Sequence, residues 1–282
     1  MQLPPDSHVH TEWSWDAQLG SMEQSCAEAV RLGLPAIAFT EHLDYTVWTV
    51  GPEALAKLQG DDPVALLSDT QGRVTPPAFD VAGYLGTVER CRTVFPELTI
   101  LSGLEIGEPH WHAGAVDAVL ASGTFDRIIG SLHCLHEADG FREPGDLYAH
   151  RDPGQVMRDY LAEVVRLVDH SDSFSILGHI DYPVRSWPDA LGPFDATMFE
   201  EEFRHALRAT AESGRALEIN TVLPLQATIL RWWHDEGGGV VTFGSDAHEP
   251  SSVAHGFALA VDMAEANGFR PSTSIIDPWP RS

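Results

Sequence analysis

The chain has 282 residues, 43% of them hydrophobic, which is enough to bury the core of one large α/β domain. Its 42 acidic and 17 basic residues give a formal charge of −25, and this charge would repel a nucleic-acid backbone over most of the surface. A long nucleic acid is therefore not expected as a partner, whereas a small anionic ligand is still compatible with the composition.

The cysteines and the apolar runs bear on location. Cys26, Cys91 and Cys134 are odd in number and form no C-x-x-C pair, so the sequence predicts neither a disulfide framework nor a thiolate zinc site. The first residues lack a basic, apolar export signal, and no run of about 18 apolar residues occurs. We therefore expect a cytoplasmic protein that does not span a membrane.

Short apolar segments alternate with longer segments of helical periodicity, which is typical of repeated β-α units. The predicted strands cover seven segments, namely residues 6–10, 34–42, 98–107, 125–133, 174–181, 215–221 and 240–248. The predicted helices cover residues 21–32, 80–95, 153–169, 195–213, 223–236 and 251–267. We expect residues 1–282 to form a single α/β domain, with an irregular tail after Arg270.

Residues 44–78 are rich in Pro, Gly and Asp and interrupt the repeat after the second predicted strand. The segment contains a short helix candidate at residues 52–58. A connection this long in a compact domain is either a functional lid or disordered, and an ordinary surface excursion is equally open. Trp48, Phe79 and Tyr84 are candidates for the wall of a substrate pocket.

Histidines and carboxylates recur where the predicted strands end. In a strand, residues i and i+2 point to the same side, so His8 with His10, and Asp246 with His248, can each face one cavity. Glu105 is the best candidate for a carboxylate that bridges two ions. In a β/α barrel, catalytic groups gather at the face formed by these strand ends. The motifs are Asp6-Ser7-His8-Val9-His10, Glu41-His42, Glu105, His133, His179-Ile180-Asp181 and Asp246-Ala247-His248.

Imidazole and carboxylate are the ligands of borderline divalent metals, so the ensemble predicts a multinuclear metal site. One such histidine alone would predict only a structural role. Competing chemistries lack their motifs, since the sequence has no G-x-S-x-G elbow and no G-x-x-x-x-G-K-[ST] phosphate loop. Cys134 follows His133 directly, so its side chain is expected to face away from that histidine and into the core.

The motifs together resemble the polymerase and histidinol phosphatase (PHP) family, and within it the histidinol-phosphate phosphatase branch. The resemblance covers nearly the whole chain. It implies a distorted (β/α)7 barrel of the PHP type with a trinuclear metal centre. The matching segments are the D-x-H-x-H-T opening with Ser14 and Asp16, Thr40-Glu41-His42, Gly103-Leu104-Glu105, Gly130-Ser131-Leu132-His133, Gly178-His179-Ile180-Asp181 and Gly244-Ser245-Asp246-Ala247-His248.

The resemblance also implies ligand sets for two to three divalent ions, which these ligands allow to be zinc, iron or manganese. The implied ligands of the first ion are His8, His10, Glu105 and Asp246. Glu105 would bridge to a second ion, whose other ligands would be His133 and His179. The implied ligands of the third ion are His42, His248 and Asp16. Glu41 is placed behind these ligands, where such a group orients a ligating histidine.

Several metal ions suit the hydrolysis of a phosphate monoester, because they lower the pKa of bound water and neutralise the charge on the leaving oxygen. We hypothesise that a hydroxide bridging the two metals of Glu105 attacks phosphorus, with Asp246 and His248 completing the catalytic group. Arg185 is the best-placed cation for the phosphate, since an arginine fork matches phosphate geometry. A surface ion pair is an equally open role for Arg185. Arg142 and Arg151 are the alternative cations.

L-Histidinol phosphate is the expected substrate, but one family feature is missing. Relatives carry Ser-Gly-Leu-Arg after the Glu-x-Asn-Thr of strand six, whereas here Glu218-Ile219-Asn220-Thr221 is followed by Val222-Leu223-Pro224-Leu225. A second hypothesis is therefore another small phosphoester, such as a nucleotide, a sugar phosphate or an oligonucleotide end. A third is a non-catalytic metal-binding module. Monomer and small homo-oligomer are both open.

Overall fold

Parallel strands form the centre of the fold. The structure, a computed structural model, describes residues 3–58, 60–274 and 276–282. The strands in this part of the chain are β1 (Asp6–Val9), β2 (Ala36–Leu43), β3 (Trp48–Thr49), β4 (Arg73–Val74), β5 (Thr99–Gly107), β6 (Arg127–Ser131), β7 (Leu135–Glu137), β8 (Gly140–Arg142), β9 (Ile176–Leu177), β10 (Ala216–Asn220), β11 (Val240–Gly244) and β12 (Trp279–Pro280).

The main sheet has eight strands in the order β1-β2-β5-β6-β9-β10-β11-β12. The first seven are parallel to their neighbours, and β12 pairs with β11 in the antiparallel direction. Strands β3 with β4, and β7 with β8, form two small antiparallel pairs outside this sheet. Parallel strands buried under crossover helices make this a mixed α/β fold, as the alternation in the sequence predicts.

The sheet curls until its first and seventh strands touch. Val9 and Ala247 form a parallel bridge. The amide of His10 donates to the carbonyl of Ala247 at 2.8 Å, and the amide of Asp246 donates to the carbonyl of His8 at 2.8 Å. The curl therefore brings the C-terminal ends of the parallel strands around a common space, and the residues that follow those strands face one another across it.

The helices pack around the curled sheet. Helix α1 shows the local cause of such an element: the Ser21 side chain accepts a hydrogen bond from the amide of Gln24, and the helix ends at Gly33, whose φ is 72°. The helices are α1 (Met22–Leu32), α2 (Pro52–Leu55), α3 (Pro63–Leu67), α4 (Val81–Val94), α5 (Ala113–Leu120), α6 (Pro144–Leu147), α7 (Pro153–His170), α8 (Glu200–Glu212), α9 (Ala227–Asp235) and α10 (Phe257–Ala266).

Three predicted helices begin later than expected. The segment 195–213 starts as a 3-10 turn (Ala196–Phe199), because the Asp195 side chain accepts from the amide of Thr197, and α8 follows it. Helix α9 begins four residues later than predicted. Helix α10 begins only at Phe257, since Ala254 (φ 55°) and Gly256 (φ 71°) turn the chain first. Helix α5 was not predicted.

The segment 44–78 is built from β3, α2, α3 and β4 in its described part, and residue 59 lies outside the description. The helix expected at residues 52–58 ends at Leu55. Helix α3 was not predicted from the sequence, although Asp62 caps it and Pro63 opens it. The Asp146 carboxylate accepts from the amide of Gly51 at 3.0 Å and so ties the segment to the loop that follows β6.

The tail after Arg270 is less irregular than predicted. Trp279 lies in β12, only 5% exposed, and its ring lies 4.9 Å from that of Phe243. The burial of one large aromatic side chain explains why the chain returns to the sheet here. No helix in the described residues is long and apolar enough to cross a membrane.

Candidate metal centre and its cavity

The first group of candidate ligands lies where β1 meets β11. Nε2 of His8 and Nε2 of His10 lie 3.0 Å apart. Asp246 Oδ1 lies 3.2 Å from the His10 nitrogen, and Glu105 Oε2 lies 3.3 Å from both histidine nitrogens. These atoms come from three strand ends that are distant in sequence. They converge on one point, and His8, His10 and Asp246 lie close enough together to hold an ion.

The second group uses the other oxygen of Glu105. Oε1 lies 2.8 Å from Nε2 of His179 and 3.3 Å from Nε2 of His133, and these three residues form a second group that could hold an ion. The Ser131 hydroxyl donates to the same oxygen at 2.6 Å and fixes the carboxylate. Glu105 therefore presents one oxygen to each group, which is the geometry of a bridging carboxylate.

The third group lies at the outer side of the centre. Asp16 Oδ2 lies 3.1 Å from Nε2 of His42 and 3.1 Å from Nε2 of His248. His10, His42 and His248 also bring ring nitrogens close enough for one ion. The His248 side chain is 36% exposed, against 8% for His42, so His248 borders the solvent.

Asp44 joins this centre, although sequence reasoning assigned it no role. Its carboxylate, with His42 and His133, forms a further group that could hold an ion, and Oδ2 accepts from the indole N–H of Trp15 at 2.9 Å. Asp44 comes directly after β2 and two residues after His42. A carboxylate in this position could have been recognised in the sequence as a candidate ligand.

Unpartnered polar atoms test whether metal ions fit here. A buried polar atom in a native structure almost always has a hydrogen-bond partner. Five atoms of the centre have none among the described residues: Asp16 Oδ1, His42 Nδ1, Asp44 Oδ1, Glu105 Oε2 and His179 Nδ1. These atoms belong to imidazoles and carboxylates, the side chains of the groups that could hold an ion. The donor set therefore fits several divalent ions of the zinc, iron or manganese type.

A layer of hydrogen bonds behind the candidate ligands orients their rings. Nδ1 of His10 lies 2.9 Å from the Ser14 hydroxyl, which donates to Glu41 at 2.6 Å. Glu41 also accepts from the amide and hydroxyl of Thr11. Glu41 thus lies behind the candidate ligands and fixes the hydroxyl that contacts His10.

The charges of the centre keep its carboxylates ionised. Burial acts to raise the pKa of Asp246, but the charges of His8 and Arg185 outweigh it and hold the pKa well below its usual range. Burial likewise opposes ionisation of Glu105, yet His8 and His133 hold its pKa well below the usual value. Ionised carboxylates are the form that binds a metal ion.

Arg185 borders the centre and the cavity above it. Its guanidinium donates to Asp246 Oδ2 at 2.6 Å and lies 5.0 Å from the ring centroid of Tyr182. The arginine is therefore not a surface ion pair, because its partner is one of the candidate ligands. Arg142 and Arg151 are paired with Asp139 and Glu137 and do not line this cavity.

A cavity with a volume of about 100 Å³ lies over the centre. Its walls are aromatic and acidic: beside the candidate ligands it is lined by Trp15, Asp44, Thr46, Trp48, Glu108, Cys134, Glu143, Tyr182 and Arg185. Trp48, from the segment 44–78, lies in this wall as predicted.

Three expectations about the cavity are wrong or incomplete. Tyr84 is fully buried, and its hydroxyl donates to the carbonyl of Phe39, so it lines the core and not the cavity. The ring centroid of Phe79 lies 5.3 Å from that of Tyr84, so Phe79 packs against Tyr84 and does not line the cavity either. Cys134 packs with Trp48 in the core as expected, but it also borders the cavity, and burial raises the pKa of its thiol. A thiol in this state is a poor nucleophile.

Comparison with known proteins gives one consistent family. The PHP domain model matches residues 6–222. A protein of Deinococcus radiodurans, named a probable histidinol-phosphatase, is 30% identical over 280 residues, which are 95% of each chain. The histidinol-phosphatase of Lactococcus lactis is 24% identical over 86% of this chain and 83% of its own.

A solved structure shares the fold over almost the whole length. It is the histidinol phosphate phosphatase of Lactococcus lactis in complex with zinc, L-histidinol and phosphate, and it superimposes with a TM-score of 0.77 at 22% identity, covering 99% of both chains. The family model alone spans well over half of the sequence. The protein belongs to the PHP domain family.

Proposed function

We propose that the protein is a metal-dependent phosphomonoester hydrolase whose substrate is L-histidinol phosphate, which it cleaves with water to L-histidinol and phosphate. The observation that carries this proposal is the position of Glu105, whose two oxygens face two different groups of candidate ligands. The relatives named for histidinol-phosphatase activity match nearly the full length of the chain, which supports the choice of substrate.

Each candidate ligand has a place in this proposal. One ion would be held by His8, His10, Glu105 and Asp246, a second by Glu105, His133 and His179, and a third by Asp16, His42 and His248. Divalent ions in such a site lower the pKa of water and neutralise charge on the phosphoryl and leaving oxygens.

The protein's own groups hold the phosphate and limit the access of water. Arg185 offers N–H donors that point to the same place as Asp246, so a phosphate over the ligands would meet the guanidinium. Trp15 and Trp48, with ring centroids 5.7 Å apart, form a wall that shields the reacting phosphorus from bulk water. His248, the partly exposed ring of the third group, lies where a substrate would enter.

We also infer that residues 1–282 form one domain with the architecture of a distorted (β/α)7 barrel. The seven parallel strands and the hydrogen bonds between the ends of β1 and β11 support it. Residues 44–78 would be an insertion in this barrel. The contribution of Trp48 to the cavity wall supports a role for this insertion in binding the substrate.

A different small phosphoester is the second candidate. Leu225 stands where the family carries its arginine, and it is apolar and only 4% exposed, so it cannot bind phosphate. Among the described residues, Arg185 is the arginine that lines the cavity. A non-catalytic module, the third hypothesis, would be expected to have lost ligands, yet every expected position here carries a competent group.

Phosphate release tests the proposal. The purified protein, supplied with manganese, should release inorganic phosphate from L-histidinol phosphate. Asp246→Ala and Glu105→Ala should abolish the release, because each variant removes a carboxylate that lies beside candidate histidine ligands. Circular dichroism checks that both variants are folded. Turnover of a sugar phosphate or a nucleotide alone would favour the second candidate. Retained turnover in Glu105→Ala would refute the role of the centre.

The cellular setting stays a prediction. A small phosphorylated molecule is the proposed partner, and neither a long nucleic acid nor a membrane is expected. A cytoplasmic location and a monomer or small homo-oligomer are the states expected from the sequence.

A further inference from the structure

One carboxylate of the cavity has no part in the proposed reaction. Glu143 lies at the start of α6 and lines the cavity together with Trp48 and Tyr182. Its side chain makes no capping hydrogen bond to the helix. The arginines nearest in sequence are engaged elsewhere, because Arg142 pairs with Asp139 and Arg151 pairs with Glu137. Within the described part of the chain, no hydrogen bond or ion pair involves the Glu143 carboxylate.

The remaining carboxylates of the cavity are all accounted for. Asp16, Glu105 and Asp246 face the candidate ligand groups. Asp44 accepts from the indole of Trp15. Glu108 accepts from the Thr46 hydroxyl and from the amides of His133 and Cys134. Among the described residues, Glu143 is therefore the acid of this cavity that neither faces a candidate ligand group nor accepts a side-chain hydrogen bond.

The surroundings of Glu143 favour a positive ligand. Burial raises the pKa of Glu143 to about 7, and the charges of Asp146 and Glu108 act in the same direction, against that of His133. A cation beside the carboxylate would relieve this cost. An anionic group would add to it.

The aromatic wall is a second, independent indication. Trp48 is 4% exposed, lines the same cavity, and its indole N–H has no partner among the described residues. Its ring lies beside that of Trp15, and Tyr182 borders the cavity as well. Aromatic faces attract amines and imidazolium rings. An acid without a partner and an aromatic wall are the two features that attract an organic cation.

We propose that Glu143 is a specificity-determining residue that binds the cationic part, a protonated amine or an imidazolium ring, of an aminoalkyl phosphate. This inference rests on the proposed function, since it places the phosphate at the candidate metal centre and Arg185 and directs the tail of the substrate towards Glu143 and Trp48. Glu143 thus selects an aminoalkyl phosphate against a phosphomonoester of equal size with a neutral tail.

The test compares two esters in the manganese-loaded, full-length protein: L-histidinol phosphate and 3-phenylpropyl phosphate, which has a ring but no cation. Glu143→Gln should lower kcat/KM for L-histidinol phosphate by about tenfold or more through KM, and change that of the neutral ester by less than about twofold. Glu143→Asp keeps the charge and should lie between the wild type and Glu143→Gln. Glu97→Gln, an exposed acid on the surface, is the matched control.

Two outcomes overturn the inference: an equal loss for both esters, or no loss for L-histidinol phosphate. Hydrolysis of the neutral ester alone by the wild type overturns it too, and leaves a phosphomonoesterase of other specificity. If the wild type hydrolyses neither ester, the proposed function fails, and calorimetry with L-histidinol then decides on Glu143. Weaker binding by Glu143→Gln than by the wild type supports the inference, whereas equal binding or none overturns it.

Discussion

Glu218 Oε1 lies 2.6 Å from Nδ1 of His8, although the two residues are 210 positions apart in the sequence. The other oxygen of Glu218 accepts from the amide of His179 at 2.9 Å. Because Nδ1 of His8 donates a hydrogen bond to Glu218, the other ring nitrogen, Nε2, faces Glu105 and Asp246. One carboxylate thus orients a candidate ligand of the first group and holds the backbone of a candidate ligand of the second.

Glu218→Gln should therefore weaken metal binding by about 10- to 100-fold, the usual effect of losing a carboxylate behind a ligating histidine. The amide keeps the size of the side chain but loses the charge that holds the proton on Nδ1. Competition with a chromogenic chelator measures the affinity. Glu212→Gln on the exposed end of α8 is the control, and an unchanged affinity in Glu218→Gln would show that Glu218 does not act on the metal.

The candidate ligands could be predicted from the sequence because they obey a local rule. His8 and His10 follow the alternation expected at the end of a strand. Asp246 and His248 reach the centre differently, because β11 ends at Gly244 and Asp246 turns the chain with a φ of 52°. Glu218 was missed because its partner comes from β1, at the other end of the sequence. Glu218 and Asn220 are two residues apart, so they lie on the same side of β10, and both approach the centre. This i, i+2 spacing was the feature of the sequence that pointed to Glu218.

Arg185→Lys should lower kcat/KM for a phosphomonoester by about 10- to 100-fold, since an arginine fork can bond two oxygens and an ammonium cannot match its geometry. Arg185 also holds Asp246 at 2.6 Å, so the metal content must be measured in parallel. A loss of activity at full metal content places the effect on the phosphate. A loss in proportion to the metal content would assign Arg185 to the support of Asp246 alone.

The fold was predictable where a long apolar strand is buried along almost its whole length. Strand β5 is longest and lies within the predicted residues 98–107, whereas only Ile176–Leu177 of the predicted residues 174–181 form ladder pairs. His179 nevertheless reaches the centre, because Gly178 still donates to the carbonyl of Gly130 at 3.0 Å. The ladder pairs of β9 are made with β6 and β10, so where they stop depends on distant segments of the chain.

The stability of the metal-free protein should reveal the state of Glu143. Its pKa is raised from 4.5 to about 7, so the folded state keeps this proton over a range in which the unfolded chain has lost it. The resulting stability is fully present below pH 4.5 and is lost as the pH rises through 7. Glu143→Gln should therefore be more stable than the wild type at about pH 8.5, by up to about 3 kcal/mol, and the advantage should shrink towards about pH 5.

Urea unfolding in the presence of a chelator measures this difference at both pH values. The other titrating groups are common to the two proteins, so the difference between them isolates Glu143. A pH-independent difference would mean that Glu143 titrates normally in the folded protein.

Gly244 ends β11 at a point where a methyl group has no room. A Cβ there would collide with the Glu218 carboxylate and would lie 2.6 Å from Cβ of His8. Gly244→Ala must therefore displace the pair that orients the first group of ligands.

We expect a loss of about 1 to 3 kcal/mol in the free energy of unfolding, the usual cost of overpacking, together with weaker metal binding. Gly239→Ala, where a Cβ would meet no atom within 4 Å, is the matched control. Urea unfolding of the metal-free protein and chelator competition measure the two effects separately. If stability falls while metal affinity stays at the wild-type value, His8 and Glu218 have moved together, and their hydrogen bond rather than their position in the sheet determines the binding of the metal.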